Sequence, residues 1–225
     1  MRALAYEAGA ALDKKSPRAD LLTPIVKAWS TDLGVECASL GVQIHGGMGY
    51  IEETGAAQYY RDAKIACIYE GTNGIQANDL VFRKVQKDGG KMAADFIAEG
   101  RAALATLAQH KGEDAEVIAR EVSIGLDALE QATQWLIPAD SVEAASAASP
   151  YLKLFGQVAG GVMMARSAAL ALTRLSEAGA DHSFHEAKLV TARFYAEQLL
   201  PPALALAENL GQMSKTVMAL DGETL

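Results

Sequence analysis

Between Asp20 and Gln43 apolar residues recur three and four positions apart, at Leu21, Leu22, Ile25, Val26, Trp29, Leu33, Cys37 and Leu40. That period belongs to one face of an α-helix. The segment therefore reads as one long helix with a buried face, ended by three glycines in four positions, Gly46, Gly47 and Gly49. A short helix is expected over about 56–63, and another after Thr72, a residue that can cap a helix N-terminus. The rest of the chain agrees. Alanine, the best helix former, accounts for 43 of 225 residues, and only 6% are aromatic, which leaves little material for a large β-sheet. The fold class is read as all-α.

Residues 1–12 look like the tail of a helix begun upstream, because no capping residue precedes the first apolar positions. The chain thus reads as a piece of a longer protein. Asp88-Gly89-Gly90 follows a helical run ending in Arg83, Lys84 and Lys87, the pattern of a helix C-cap. Charge changes there too: residues 1–88 carry 10 basic and 11 acidic side chains, residues 89–225 carry 10 and 17. A domain boundary is expected at this point, with one unit over 1–88 and a second over 91–225. The second should hold four antiparallel helices, near 91–109, 114–136, 139–178 and 183–212. Pro150 should kink the third, and Pro201-Pro202 should bend or interrupt the fourth. Gly160-Gly161 beside Met163-Met164 reads as a close helix crossing filled by flexible side chains.

A net charge of −8 repels phosphate backbones, so nucleic acid is not an expected partner. The longest uncharged apolar stretch, between Lys153 and Arg166, has 12 residues and is too short for a membrane span. Cys37 and Cys67 lack CxxC spacing and lie in apolar stretches; they read as two buried thiols of a reducing, cytoplasmic compartment. His182 and His185 stand at i, i+3 with no third ligand nearby, so no metal is expected.

Two segments carry possible chemistry. In Gln43-Ile44-His45-Gly46-Gly47-Met48-Gly49-Tyr50 the absence of Cβ atoms lets backbone N–H groups approach a ligand, often a phosphate. It is not a dinucleotide fingerprint, because it follows a helix and lacks GxGxxG spacing. His45-Gly46-Gly47 resembles the oxyanion loop of esterases, but the chain has no GxSxG to supply a nucleophile. The second segment is Ile65-Ala66-Cys67-Ile68-Tyr69-Glu70-Gly71-Thr72-Asn73-Gly74-Ile75-Gln76. Glu70 follows an apolar run just outside a helix start, so its carboxylate is expected in an apolar-walled cleft, where desolvation would raise its pKa toward that of a general base.

Taken in order and with their spacing, QIHGGMGYIEE, RDAKI and YEGTNGIQ resemble the acyl-CoA dehydrogenase family, in the C-terminal part of its helical domain, over residues 1–88. Residues 91–225 resemble the extra helical domain appended to larger bacterial members. Gln58 stands where the family commonly has a basic residue.

The resemblance implies an FAD-dependent parent enzyme that oxidises acyl-CoA to trans-2-enoyl-CoA, passes electrons to an electron-transferring flavoprotein and forms a homo-oligomer. It implies that Glu70 is the base taking the α-proton, that Gly71 lies beside substrate, and that the N–H of Glu70 polarises the thioester carbonyl. It further implies FAD contacts at Gln43, Ile44, His45, Gly46 and Gly47, and again at Thr72, Asn73 and Gly74. The family's other domains and first bundle helix have no counterpart in this sequence. The chain alone is accordingly expected to be inactive, free of FAD and oligomeric. The alternative is a non-catalytic helical interaction or scaffolding protein that keeps the family framework.

Overall fold

The computed structural model describes residues 1–217 and 219. Among the described residues all regular structure is helical. The helices are α1 (Arg2–Asp13), α2 (Arg18–Ile44), α3 (Gly47–Tyr50), α4 (Ala56–Ile65), α5 (Asn73–Asn78), α6 (Lys91–Leu107), α7 (Glu113–Leu136), α8 (Ser141–Leu175), α9 (His182–Phe194) and α10 (Pro201–Val217). A π-helical stretch, Asp79–Gln86, prolongs α5, and another, Tyr195–Leu199, prolongs α9. The pair Pro201-Pro202 does interrupt the last helix, and Pro150 lies inside the single helix α8.

The centre of the molecule is α8. Its start is a capping box: Asp140 Oδ1 accepts from the N–H groups of Val142 and Glu143, and Glu143 Oε2 accepts from the Asp140 N–H, which satisfies donors otherwise orphaned at a helix start. Tyr151, Leu152, Leu154 and Phe155 are all buried while Lys153 between them is exposed, so the helix is enclosed around most of its circumference. By length and apolarity α8 is long enough to cross a membrane, but 72% of its most apolar window is buried inside the protein. The helix itself, expected near 139–178, is longer than the 12 uncharged residues between Lys153 and Arg166 because it continues past both charges.

Glycines on α8 admit bulky partners. A Cβ at Gly156 would lie 2.8 Å from Trp29 Cβ and Cδ1, and one at Gly160 would lie 2.9 Å from Trp29 Cη2 and closer still to the Tyr195 hydroxyl. The close crossing expected at Gly160-Gly161 exists, but its contents differ. Trp29, Tyr195, Val122 and Leu200 fill it, because rings and branched chains complement a glycine groove. Trp29 carries α2 onto α8. An aromatic side chain buries 150–250 Å², so this contact contributes roughly 4–6 kcal/mol gross at about 25 cal/mol per Å².

The turn at Gly89–Gly90 is built on two positive φ angles, 66° and 80°, with Asp88 accepting from the N–H groups of Gly90 and Met92. Residues on both sides of it form one continuous buried cluster, from Leu4 to Leu210. Polar links also cross it. Arg18 pairs with Glu7 and Glu99, and Arg166 reaches the same two carboxylates at 3.0 and 3.6 Å. Gln86 Nε2 donates to the carbonyls of Leu136 and Ala139, at 3.0 and 2.9 Å.

The buried face of α2 is shorter than its apolar period. Leu21, Leu22, Ile25 and Trp29 are buried, whereas Leu33 is half-buried, Cys37 exposed and Leu40 55% exposed. Cys67 is buried as expected; Cys37 is not, because the buried residues of α2 all lie between Ala19 and Trp29.

Candidate functional site

The loop containing Glu70 connects α4 to α5 and is anchored at both ends. The Asn73 N–H donates to the Cys67 carbonyl at 3.1 Å, and Thr72 caps α5 by accepting from the Ile75 N–H at 3.2 Å. Between them the backbone turns through two positive φ angles, 54° at Glu70 and 82° at Gly71. A glutamate in that region is strained, since a Cβ crowds the following carbonyl. Neighbouring side chains hold the conformation. Gln76 Nε2 donates to the Glu70 carbonyl at 3.3 Å, and Lys27 Nζ on α2 donates to the Gly71 carbonyl at 2.7 Å.

With these carbonyls engaged, the N–H groups of Glu70, Gly71 and Thr72 donate to no protein acceptor among the described residues. The Glu70 side chain is exposed. The apolar side chains flanking it, Ile68, Tyr69 and Ile75, are each more than half exposed. The apolar-walled cleft expected from the sequence is thus not closed by the described residues: apolar flanks are present, but among those residues no second surface faces them.

Asn73 is engaged within the chain. Its Nδ2 donates to Asp32 Oδ1 at 2.7 Å, Thr31 Oγ1 at 3.0 Å and the Ala28 carbonyl at 3.2 Å, while its Oδ1 accepts from Lys27 Nζ at 2.9 Å. Side chain and N–H are both spent inside the chain, which makes Asn73 a strut between α2 and α5. Thr72 and Gly74 remain exposed.

Gln43, Ile44, His45, Gly46 and Gly47 lie at the other end of α2, all exposed. His45 is tied back, its Nδ1 2.8 Å from the Gly41 carbonyl. The glycines differ in why they are glycine. Gly46 has φ 61°. Gly49 is buried, and a Cβ there would lie 2.8 Å from His45 Cβ and nearer still to the Val42 carbonyl oxygen. At Gly47 a Cβ would meet nothing, so no internal contact requires glycine there.

The structure does not bring the two segments together. Lys27 and Gln43 are separated by about 24 Å along α2 at 1.5 Å per residue. Each segment borders its own cleft. One of about 700 Å³ is lined by Val42, Tyr50, Glu52, Tyr60 and Arg61. The other, about 560 Å³, lies between α2, α5 and α8 and is lined by Asp32, Asn73, Gly74, Lys153 and Gln157. Among the described residues no three His, Cys, Asp or Glu side chains come together as a metal site. Asp181 caps α9, the helix that carries both histidines, by accepting from the Phe184 N–H at 3.1 Å.

Lys27, Thr31 and Asp32 carry no motif. Their only sequence signal is that polar residues fall on the α2 face not occupied by its apolar stripe.

Two family models match the chain. Residues 1–84 match the acyl-CoA dehydrogenase C-terminal domain, and residues 91–221 match the acetyl-CoA dehydrogenase C-terminal-like domain. Among curated relatives, a 3-methylmercaptopropionyl-CoA dehydrogenase of Ruegeria pomeroyi is 45% identical over 193 residues, covering 81% of this chain and 31% of its own length. A broad-specificity linear acyl-CoA dehydrogenase of Mycobacterium tuberculosis is 30% identical over 223 residues, covering 90% of this chain and 34% of its own. A butyryl-CoA dehydrogenase of Syntrophomonas wolfei is 33% identical over 190 residues, covering 79% and 30%. The chain spans about a third of the length of these relatives.

Proposed function

Because the chain belongs to the acyl-CoA dehydrogenase family, we propose that it supplies the base and part of the cofactor surface of a flavin-dependent enzyme that oxidises acyl-CoA thioesters to trans-2-enoyl-CoA. The observation that carries this reading is the backbone at Glu70. Two successive residues with positive φ, their carbonyls drawn to Gln76 and Lys27, leave a free N–H beside an exposed carboxylate. Such a pair suits enolisation. The Glu70 N–H donates to the thioester carbonyl oxygen, where negative charge develops, and the Glu70 carboxylate takes the α-proton. Gly71 keeps the substrate side of the loop free of a side chain.

The exposed glycine-rich end of α2 fits a diphosphate. Gly46 has a left-handed φ, and among the described residues nothing occupies the space beside Gly47. The N–H groups of His45, Gly46 and Gly49 are spent on the carbonyls of Gly41, Gln43 and Gly46, so those of Gly47 and Met48 are the ones that can meet phosphate oxygens directly. FAD, when bound, supplies the acceptor for the β-hydride. Thr72 and Gly74, at the start of α5, offer further contacts. Both surfaces are completed by parts outside this chain, in keeping with the exposed Ile44, Tyr50 and Tyr69. The same reading assigns the assembled enzyme to the cytoplasm as a homo-oligomer, with an electron-transferring flavoprotein as its acceptor.

The test is Glu70→Gln in the assembled holoenzyme. The amide is nearly isosteric and cannot accept the α-proton. Turnover should fall by about 10² to 10⁴ while flavin content and thioester affinity are retained. Wild-type turnover would refute the assignment.

A further inference from the structure

We propose that Lys27, on α2, is a positioning residue for this reaction: by holding the Gly71 carbonyl it keeps the Glu70 carboxylate and N–H in register with the thioester. The proposal rests on the assignment of Glu70 as the base.

Glu70 and Gly71 both have positive φ, and a non-glycine residue stays in that region only where its surroundings over-determine it. Three links do so here. Gln76 donates to the Glu70 carbonyl at 3.3 Å, the Asn73 N–H closes the loop on the Cys67 carbonyl at 3.1 Å, and Lys27 donates to the Gly71 carbonyl at 2.7 Å. The Lys27 bond is the shortest of the three and the one with an ionised donor, which makes it the strongest. It is also the one of the three that reaches from α2, a helix seated on the core through Trp29. The others are made within residues 67–76 and move with the loop.

Lys27 is itself held. Its ammonium also donates to Asn73 Oδ1 at 2.9 Å, and Asn73 Nδ2 donates to Asp32 Oδ1 at 2.7 Å. The side chains of Lys27, Asn73 and Asp32 thus form one chain from ammonium to carboxylate, which fixes the height at which the loop leaves α2. Lys27 does not touch the Glu70 carboxylate in this network. Its effect on the reaction passes through the Gly71 carbonyl and the peptide that follows Glu70.

A misplacement of about 1 Å at a reacting group costs on the order of 10²-fold in rate. Lys27→Met keeps the aliphatic stem and removes the donor. In the holoenzyme it should lower the rate of flavin reduction by saturating acyl-CoA about 10- to 100-fold, with KM and flavin content little changed, and Lys27→Arg should restore much of that loss. Hydrogen exchange should rise in the peptide spanning 67–76 and stay unchanged in α8. If Lys27→Met yields no flavoprotein, Lys27→Gln, which keeps a donor but not the charge, is read by the same criteria.

Glu70→Gln is measured alongside. Loss of reduction in Glu70→Gln with a wild-type rate in Lys27→Met would overturn the positioning role and leave the base assignment standing. Unimpaired Glu70→Gln would overturn both. A rate loss in Lys27→Met that appears in KM alone, or that Lys27→Arg does not relieve, would also refute positioning.

Discussion

Gly47 and Gly49 stand two residues apart in one motif and should respond oppositely to the same substitution. At Gly49 an added Cβ lies 2.8 Å from His45 Cβ and nearer still to the Val42 carbonyl oxygen. The obstacle is backbone, which cannot rotate away as a side-chain tip can. Overpacking of this kind costs about 1–3 kcal/mol, and alanine's better helix propensity returns at most about 1 kcal/mol. Gly49→Ala should therefore destabilise the α2–α3 junction by about 1–2 kcal/mol, a factor of about 5–30 in the local opening equilibrium. At Gly47 the Cβ meets nothing, and Gly47→Ala should be neutral or slightly stabilising. Amide hydrogen exchange of the peptide covering 42–54 reads both, with a rise of that size for Gly49→Ala alone. In the holoenzyme the ranking should change: Gly47→Val should lower flavin occupancy, because its side chain enters the space assigned to the diphosphate. Equal exchange in the two alanine variants would refute the steric reasoning, and full flavin content in Gly47→Val would refute the cofactor assignment.

The same contrast applies to the core. Gly156→Ala, which drives a Cβ into Trp29, should lower the urea midpoint of the chain, whereas Gly34→Ala, in open space within α2, should raise stability by up to about 1 kcal/mol. Asn73→Ala removes bonds to Lys27, Thr31 and Asp32 and should cost about 1 kcal/mol by denaturation, the low end for such losses because exposed Asp32 regains water. Burial pushes the Tyr151 and Tyr195 hydroxyls well above the ordinary 10.0. The folded state then holds those protons while the unfolded chain releases them, so their contribution is complete below pH 10.0 and is lost as pH rises beyond it. Urea midpoints between pH 8 and pH 11 should fall above about pH 10, less steeply in Tyr151→Phe.

The helices were legible because each carries its own period and punctuation. The apolar spacing of α2, the Thr72 cap and the proline break before α10 are local signals, and the structure repeats them. Partners were less legible. Nothing local distinguishes Leu40 from Leu22, since burial depends on where α8 crosses α2, and the same gap hid the exposure of Cys37. Within the candidate site, the motif marked Glu70 and Gly71 but could not reveal that Glu70 has positive φ, because only glycine advertises that conformation. Asn73 shows the converse. Its position in the motif pointed outward to a cofactor, while its amide faces α2 and satisfies residues more than forty positions earlier. Lys27 carries no motif and becomes visible only when α2 and the loop are seen side by side.

The central claim is that Glu70 removes a proton from the carbon next to a thioester. An acyl-CoA with no β-hydrogen isolates that step, because proton removal can proceed with no hydride to transfer. Incubated in D2O with the assembled holoenzyme and followed by NMR, its α-position should gain deuterium at a rate that Glu70→Gln lowers by at least about 10². Deuterium gain at the wild-type rate in Glu70→Gln would contradict the account.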